Sequence, residues 1–272
     1  MLTDILTAIR PYQWYKNLVL FAGLVFAGDL FVFPLFVRAC AAFFIFCLIS
    51  GAGYLVNDLA DRTADALHPR KAERPIASGA LSPWCAVLLS LFLFVAANGS
   101  ALLLSVEFGL CAVLYTAVTV LYSVILKRKV LVDVISISVG FVIRAVAGAV
   151  VINVYISPWL ILCAFMLALF LALAKRRKDR SPLYEPQFLD HLLSVTTTLV
   201  IMSYSLYTFL RASQEMMVTI PLVLYGLFRF LQLSYEEKEI SARVELFFLD
   251  KGLFFTSLVW VLLVVVIIYV VE

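Results

Sequence analysis

Long apolar runs alternate with short polar stretches along the whole chain. Nine runs of helix length follow one another, at about 18–37, 39–56, 83–103, 107–126, 132–153, 157–174, 191–210, 218–235 and 252–271. Each approaches the ~20 apolar residues that a helix needs to cross a bilayer. None alternates with period two, as the strands of a membrane barrel do. The pattern predicts an all-α integral membrane protein of nine transmembrane helices. The third and fourth runs are parted only by the soft stretch Asn98-Gly99-Ser100 and by Glu107. Joined, they are too long for one crossing, so they read as two. Nine crossings leave no room for a separate soluble domain, and residues 1–272 read as a single transmembrane domain.

Composition narrows the class further. The 272 residues are 64% hydrophobic and 14% charged, against ~45–50% and ~25% in a soluble domain. One soluble core does not cover that much apolar surface. A soluble enzyme, a disordered chain and a nucleic-acid-binding domain are excluded, and the surroundings are membrane lipids. The five cysteines, Cys40, Cys47, Cys85, Cys111 and Cys163, all lie in apolar runs without a CxxC pair. They read as membrane-buried thiols, not as disulfides or a zinc site. The N-terminal stretch has no cleavable signal pattern, so the first span is expected to remain as an anchor.

The net charge of +3 is modest, but its placement is uneven. Of 21 Lys and Arg residues, 17 fall on the side that holds the N-terminus and the loops after even-numbered spans. Arg38 and Arg211 fall on the other side, and Arg144 and Arg229 lie inside spans. Basic residues mark the cytoplasmic side. The expectation is therefore a multi-pass protein of the cell (cytoplasmic) membrane, with the N-terminus cytoplasmic and the C-terminus outside. The long connections 57–82, 175–190 and 236–251 share the cytoplasmic side, so the chemistry is expected there.

The strongest constellation is Asn57-Asp58-Leu59-Ala60-Asp61-Arg62-Thr63-Ala64-Asp65, after the second span. At 100° per residue, Asp58, Asp61 and Asp65 fall within about 60° of one another, with Asn57 close by. Carboxylates sharing a face repel unless a cation sits among them. Their oxygens suit Mg²⁺, which usually completes its shell with water and substrate phosphate. Arg70, Lys71 and Arg74 follow at once, in a loop broken by Pro69, Pro75 and Gly79. These cations fit phosphate, although positive-inside topology also accounts for basic residues in general. Tyr122 and Lys127, then Asp133, lie where the fourth span ends and the fifth begins; an interfacial tyrosine belt with basic flanks accounts for them equally well. Arg144, inside a span, costs roughly 2.5–3.5 kcal/mol on insertion scales and calls for a polar partner. Lys175-Arg176-Arg177-Lys178 closes the sixth span, with Lys175 and Arg176 the better phosphate candidates. Lys16 and Asn17 begin the first span behind Arg10-Pro11-Tyr12-Gln13-Trp14, which reads as an interfacial lead-in with aromatic anchors. There is no credible nucleophile–histidine–acid triad, P-loop or dinucleotide fingerprint.

Asn57-Asp58-x-x-Asp61-x-x-x-Asp65 followed by Arg74-Pro75-Ile76-Ala77-Ser78-Gly79 resembles the UbiA-type membrane prenyltransferase superfamily. The resemblance implies nine helices around a lipid-open cavity with a cytoplasmic polar site. Within it, Arg10-Pro11-x-Gln13-Trp14-x-Lys16-Asn17, Tyr54-Leu55-Val56-Asn57-Asp58, His68-Pro69, Phe141-Val142-x-Arg144 and Ala172-Leu173-Ala174-Lys175-Arg176 look like the polyprenyl-phosphate (decaprenyl-phosphate) phosphoribosyltransferase branch. That branch implies transfer of 5-phosphoribose from phosphoribosyl diphosphate to a polyprenyl phosphate. It also implies a cell-wall biosynthetic setting. Mg²⁺ is expected on Asn57, Asp58, Asp61 and Asp65, with Asp58 and Asp61 catalytic. Phosphate contacts are expected from Lys16, Asn17, Arg70, Lys71, Arg74, Tyr122, Lys127, Arg144, Lys175 and Arg176. Aromatic prenyltransferases of this superfamily carry a second Asp-rich motif after the sixth span. Here that place is basic, with Asp179 the one acid. An aromatic prenyltransferase is the first alternative, and a membrane transporter the second.

Overall fold

A computed structural model describes residues 2–69, 71–179, 181–210, 212–236 and 250–271. The described residues form helices joined by turns, without strands. In chain order they are α1 (Leu2–Ile9), a 3-10 segment (Pro11–Phe21), α2 (Ala22–Phe26), α3 (Phe33–Ala66), α4 (Pro83–Leu104), α5 (Val106–Val124), α6 (Val132–Val151), α7 (Pro158–Lys178), α8 (Pro186–Leu210), α9 (Ile220–Tyr235) and α10 (Lys251–Val266). Among the described residues, eight helices are long and apolar enough to cross a membrane: α3 to α8, α9 with its 3-10 lead-in, and α10 with its extension. The chain is a multi-pass membrane protein.

The expected span 18–37 differs from what the chain does. Residues 11–21 wind as a 3-10 segment and α2 adds five more. The chain then turns, with Gly28 at φ +78° and Val32 N–H bonded to the Asp29 carbonyl at 2.9 Å. α3 starts at Phe33 with a proline in its first turn, so the boundary expected near Arg38 lies inside a helix. Hydropathy misplaces this boundary because Phe31, Val32 and Phe33 are apolar on both sides of it. Backbone chemistry sets the stop instead, through a glycine in the left-handed region and a proline suited to a helix start.

The expected split of the third and fourth spans occurs at Ser105. Its backbone is extended, and its hydroxyl accepts from Phe108 N–H at 3.1 Å, capping α5. Asn98-Gly99-Ser100 stays inside α4. There the Asn98 amide donates to the Phe94 carbonyl at 2.8 Å and to Thr116 Oγ1 at 3.1 Å, joining α4 to α5.

The chain forms two compact units. One comprises Met1–Arg128 and Ile143–Tyr155, the other Lys129–Val142 and Ile156–Glu272. In the first, α3 packs against α1, the 3-10 segment, α4 and α5. Ala8, Leu55, Ile76, Leu81 and Ala86 form an apolar core beside the α3 C-terminal half. The C-terminal half of α6 lies against the 3-10 segment, where a Cβ on Gly148 would collide with the Leu20 carbonyl oxygen. In the second unit, α8 packs against α7 and α9, and α10 against α9. Phe170, Leu173, Leu193, Phe230 and Leu233 lie in its core.

The 34 residues of α3 make a helix about 51 Å long at 1.5 Å per residue. The hydrocarbon layer takes up ~30 Å. The last polar turns of α3 therefore extend past the length needed for a crossing, and they carry the aspartates.

Candidate active site

Helical spacing puts Cys47, Ser50, Tyr54, Asp58, Asp61 and Asp65 along one face of α3, three or four residues apart. The face is polar along five turns. Near its C-terminal end the carboxylates meet cations of the same unit. Asp58 and Asp65 are buried, at 2% and 3% exposure. Arg10 Nη2 donates to both Asp58 oxygens, at 2.5 and 2.7 Å. Arg74 Nη1 donates to Asp58 Oδ1 at 3.0 Å and to Asp65 Oδ2 at 2.6 Å. Lys71 Nζ stands 4.0 Å from Asp65 Oδ1. Lys127 Nζ pairs with Asp61 Oδ1 at 2.7 Å and donates to Asn57 Oδ1 at 3.0 Å.

The four expected metal-binding residues thus resolve into two pairs, each gathered on one nitrogen. Asp58 and Asp65 share the Arg74 Nη1, and Asn57 and Asp61 share the Lys127 Nζ. Among the described residues, no three His, Cys, Asp or Glu side chains converge to hold a metal by themselves. Both pairs offer only oxygen and converge on positive charge. That donor set suits a hard divalent cation which takes the rest of its shell from water and phosphate. Lys127 reaches this place because α5 ends at Val124 and a 3-10 turn, Leu126–Arg128, follows. The turn separates it from Tyr122, which is half-buried on the last turns of α5. Arg70 lies outside the described residues.

One to three turns back along α3 the same face holds a second polar cluster. Arg144 is 7% exposed and Asn17 fully buried. Arg144 Nε donates to Asn17 Oδ1 at 2.7 Å, and its Nη2 donates to the Tyr115 hydroxyl. The guanidinium also lies 4.4 Å from the centre of the Tyr115 ring. Ser50 Oγ donates to Asn17 Oδ1 at 3.4 Å, and Asn17 Nδ2 donates to Cys47 Sγ at 3.3 Å. Lys16, one residue away and half-buried, donates to Gln13 Oε1 at 2.8 Å.

In the second unit the basic end of α7 is tied down. Arg176 Nε donates to Asp133 Oδ2 at 2.7 Å, and Asp133 is fully buried. The Tyr184 hydroxyl donates to the other Asp133 oxygen and accepts from the Leu131 N–H at 2.8 Å. Burial, then donation to Asp133, pushes the Tyr184 phenol well above its ordinary pKa. Arg177 donates to the Ser234 carbonyl at 3.0 Å and lies over the Tyr235 ring. Lys175 is exposed.

Sequence reasoning misses Arg10, Tyr115 and Tyr184 as parts of these clusters and treats Asp133 only as the start of a span. For Asp133 a usable signal exists, since an acid within a transmembrane segment is rare and usually paired. Arg10 stands in a short motif with Pro11 and Gln13, but its partner lies 48 residues away, beyond the reach of any local pattern.

Residues 17–259 match the profile of the UbiA prenyltransferase family. A decaprenyl-phosphate phosphoribosyltransferase of Mycolicibacterium smegmatis is 32% identical over 237 residues, 81% of this chain and 74% of that protein. One of Mycobacterium tuberculosis is 32% identical over 228 residues, 78% of this chain and 76% of its own length. A UbiA homologue of Archaeoglobus fulgidus, solved bound to GPP and Mg²⁺, superposes with a TM-score of 0.78 at 17% identity, covering 98% of this chain and all of that one. The fold, the profile and the relatives agree: this chain belongs to the UbiA prenyltransferase family and is a membrane-embedded transferase.

Proposed function

We propose that this protein transfers 5-phosphoribose from phosphoribosyl diphosphate to a polyprenyl phosphate, releasing diphosphate, with Mg²⁺ as cofactor. The observation that carries this reading is the end of α3, where three carboxylates meet Arg10, Arg74 and Lys127 within 3.0 Å. Such a group suits a diphosphate that comes with a divalent cation. The phosphoribosyltransferase relatives supply the choice of donor and acceptor.

Asn57, Asp58, Asp61 and Asp65 hold Mg²⁺ in this reading. When bound, the ion neutralises the charge that develops on the leaving diphosphate. The protein's own part is largely electrostatic. Lys71, Arg74 and Lys127 hold diphosphate oxygens as the ribose C1–O bond breaks, and Arg70 and Tyr122 belong to the same group of candidates. An oxygen of the lipid phosphate forms the new bond to C1. It is already anionic, so no protein base is required. Lys16 is a phosphate contact beside Asn17 and Arg144. These last two belong to the same phosphate candidates in this reading, and their hydrogen bond also ties α6 to the 3-10 segment. Lys175 and Arg176 are the phosphate candidates of the second unit, with Arg176 oriented by Asp133. We place the aspartates at the cytoplasmic face, on the strength of the basic loops.

The test is an assay of the purified chain in detergent with Mg²⁺. One arm holds labelled phosphoribosyl diphosphate and polyprenyl phosphate. The other holds prenyl diphosphate and 4-hydroxybenzoate. Label is expected in lipid in the first arm. Product in the second arm alone makes the protein an aromatic prenyltransferase and overturns the proposal.

A further inference from the structure

Asp58 is saturated by cations. Both its oxygens accept from Arg10, and Oδ1 accepts from Arg74 as well. Taken together, Asp58, Asp61 and Asp65 face Arg10, Arg74 and Lys127, with Lys71 at 4.0 Å. The group is close to neutral as built. A divalent cation that approaches Asp58 alone must displace a guanidinium and leave it without its counter-charge, which is unfavourable for a largely buried group. If a diphosphate arrives with the cation, the released guanidinium has an anion to grip with two parallel hydrogen bonds.

Arg10 is the cation set up for that exchange. Arg74 keeps Asp65, at 2.6 Å, when it lets Asp58 go. The ion pair of Arg10 is with Asp58. Its backbone is left-handed, φ +52° and ψ +62°, immediately before Pro11. A residue before proline is normally extended. Left-handed non-glycine backbone costs on the order of 1–3 kcal/mol and collects where function requires it. The Arg10 side chain is 13% exposed, and its guanidinium lies 5.0 Å from the centre of the Tyr54 ring. That aromatic face supports a cation without neutralising it, whichever anion the cation holds.

We propose that Arg10 is a further diphosphate-binding residue, and that by exchanging Asp58 for the anion it couples binding of the divalent cation to binding of diphosphate. This rests on the reading of Asp58 as a metal ligand. A cation alone competes with Arg10 and binds weakly. A cation with diphosphate binds tightly, and by linkage each raises the affinity of the other by the same factor.

The experiment uses the full chain in detergent, Mn²⁺ in place of Mg²⁺, and inorganic diphosphate. Protein-bound Mn²⁺ and protein-bound diphosphate are counted after equilibrium dialysis. In the wild type, diphosphate is expected to raise Mn²⁺ affinity by a factor in the range of about 5–150. Arg10→Gln is expected to bind Mn²⁺ alone several-fold more tightly, to bind diphosphate more weakly, and to lose most of the coupling. A purely structural role lowers both affinities together. Arg10→Lys keeps the charge and loses the fork, so it shifts both affinities in the same opposed senses by less, and it carries the test if Arg10→Gln does not fold. Unchanged coupling, or Mn²⁺ binding alone no tighter than in the wild type, overturns the proposal and leaves the metal reading standing. A wild type that binds no Mn²⁺ under either condition overturns both.

Discussion

Asp58 and Asp61 look equivalent in a motif, and their surroundings separate them. Asp58 is buried and holds Arg10 and Arg74, whereas the Asp61 side chain is 28% exposed and pairs with Lys127. Removing one partner of a buried pair costs about 3–5 kcal/mol, because the other charge is stranded. The Asp61 carboxylate is less buried, so its loss costs less, and Lys127 retains Asn57. Asp58→Asn and Asp61→Asn are therefore both expected to lower turnover at least ~100-fold, through loss of charge stabilisation. Only Asp58→Asn is expected to lower the melting temperature in detergent markedly. Equal melting temperatures, or near-normal turnover in either variant, contradict these roles. The aspartates were legible because helical period alone puts residues 58, 61 and 65 on one face. Their counter-charges were only half legible. Lys71 and Arg74 follow in the next loop, but Arg10 and Lys127 come from remote parts of the chain, and local pattern carries no information about such pairing.

At the scale of the element, close contact matters more than hydropathy. The 3-10 segment runs for 11 residues, far beyond the three or four at which such helices usually end. It persists because other elements hold it. Arg144 bonds Asn17, and α6 comes against Leu20 at Gly148. A methyl group at residue 148 meets a backbone carbonyl, which has no rotamer by which to move aside. Gly148→Ala is expected to destabilise by about 1–3 kcal/mol through overpacking and to reduce activity, since Arg10 immediately precedes the displaced segment. Gly226→Ala in α9 is the control. Nothing lies within 4 Å of its new methyl group, and alanine is the better helix former by ~1 kcal/mol. Thermal unfolding in detergent should rank Gly226→Ala at or above the wild type and Gly148→Ala well below it. The same contrast explains what the hydrophobic pattern missed. It located α4 to α10 within a few residues, because each is a continuous apolar helix. It failed at 18–37, where a 3-10 segment, a five-residue helix and a glycine turn share the apolarity of a span.

For the whole molecule, the few charges of a lipid-adapted chain define its sidedness. Seventeen basic residues on one side against two on the other is a bias strong enough to set topology. On that bias we propose that the loop after α3 lies in the cytoplasm and the turn between α6 and α7 outside. Glu73, in that loop, and Tyr155, in that turn, are both exposed, and neither belongs to the charged clusters. A membrane-impermeant thiol reagent is therefore expected to label Glu73→Cys in inside-out vesicles and not in intact cells. It is expected to label Tyr155→Cys in intact cells and not in sealed inside-out vesicles. The native Cys85 lies at the start of α4, on the Glu73 side, so whatever it contributes has the sign expected for Glu73→Cys. The reverse pattern puts Asp58, Asp61 and Asp65 on the outer face, away from any cytoplasmic sugar diphosphate, and the proposed donor then has no route to the site. Labelling of both positions from one side removes an odd number of crossings between them. That would require α4 to α6 to be regrouped, whatever their hydropathy.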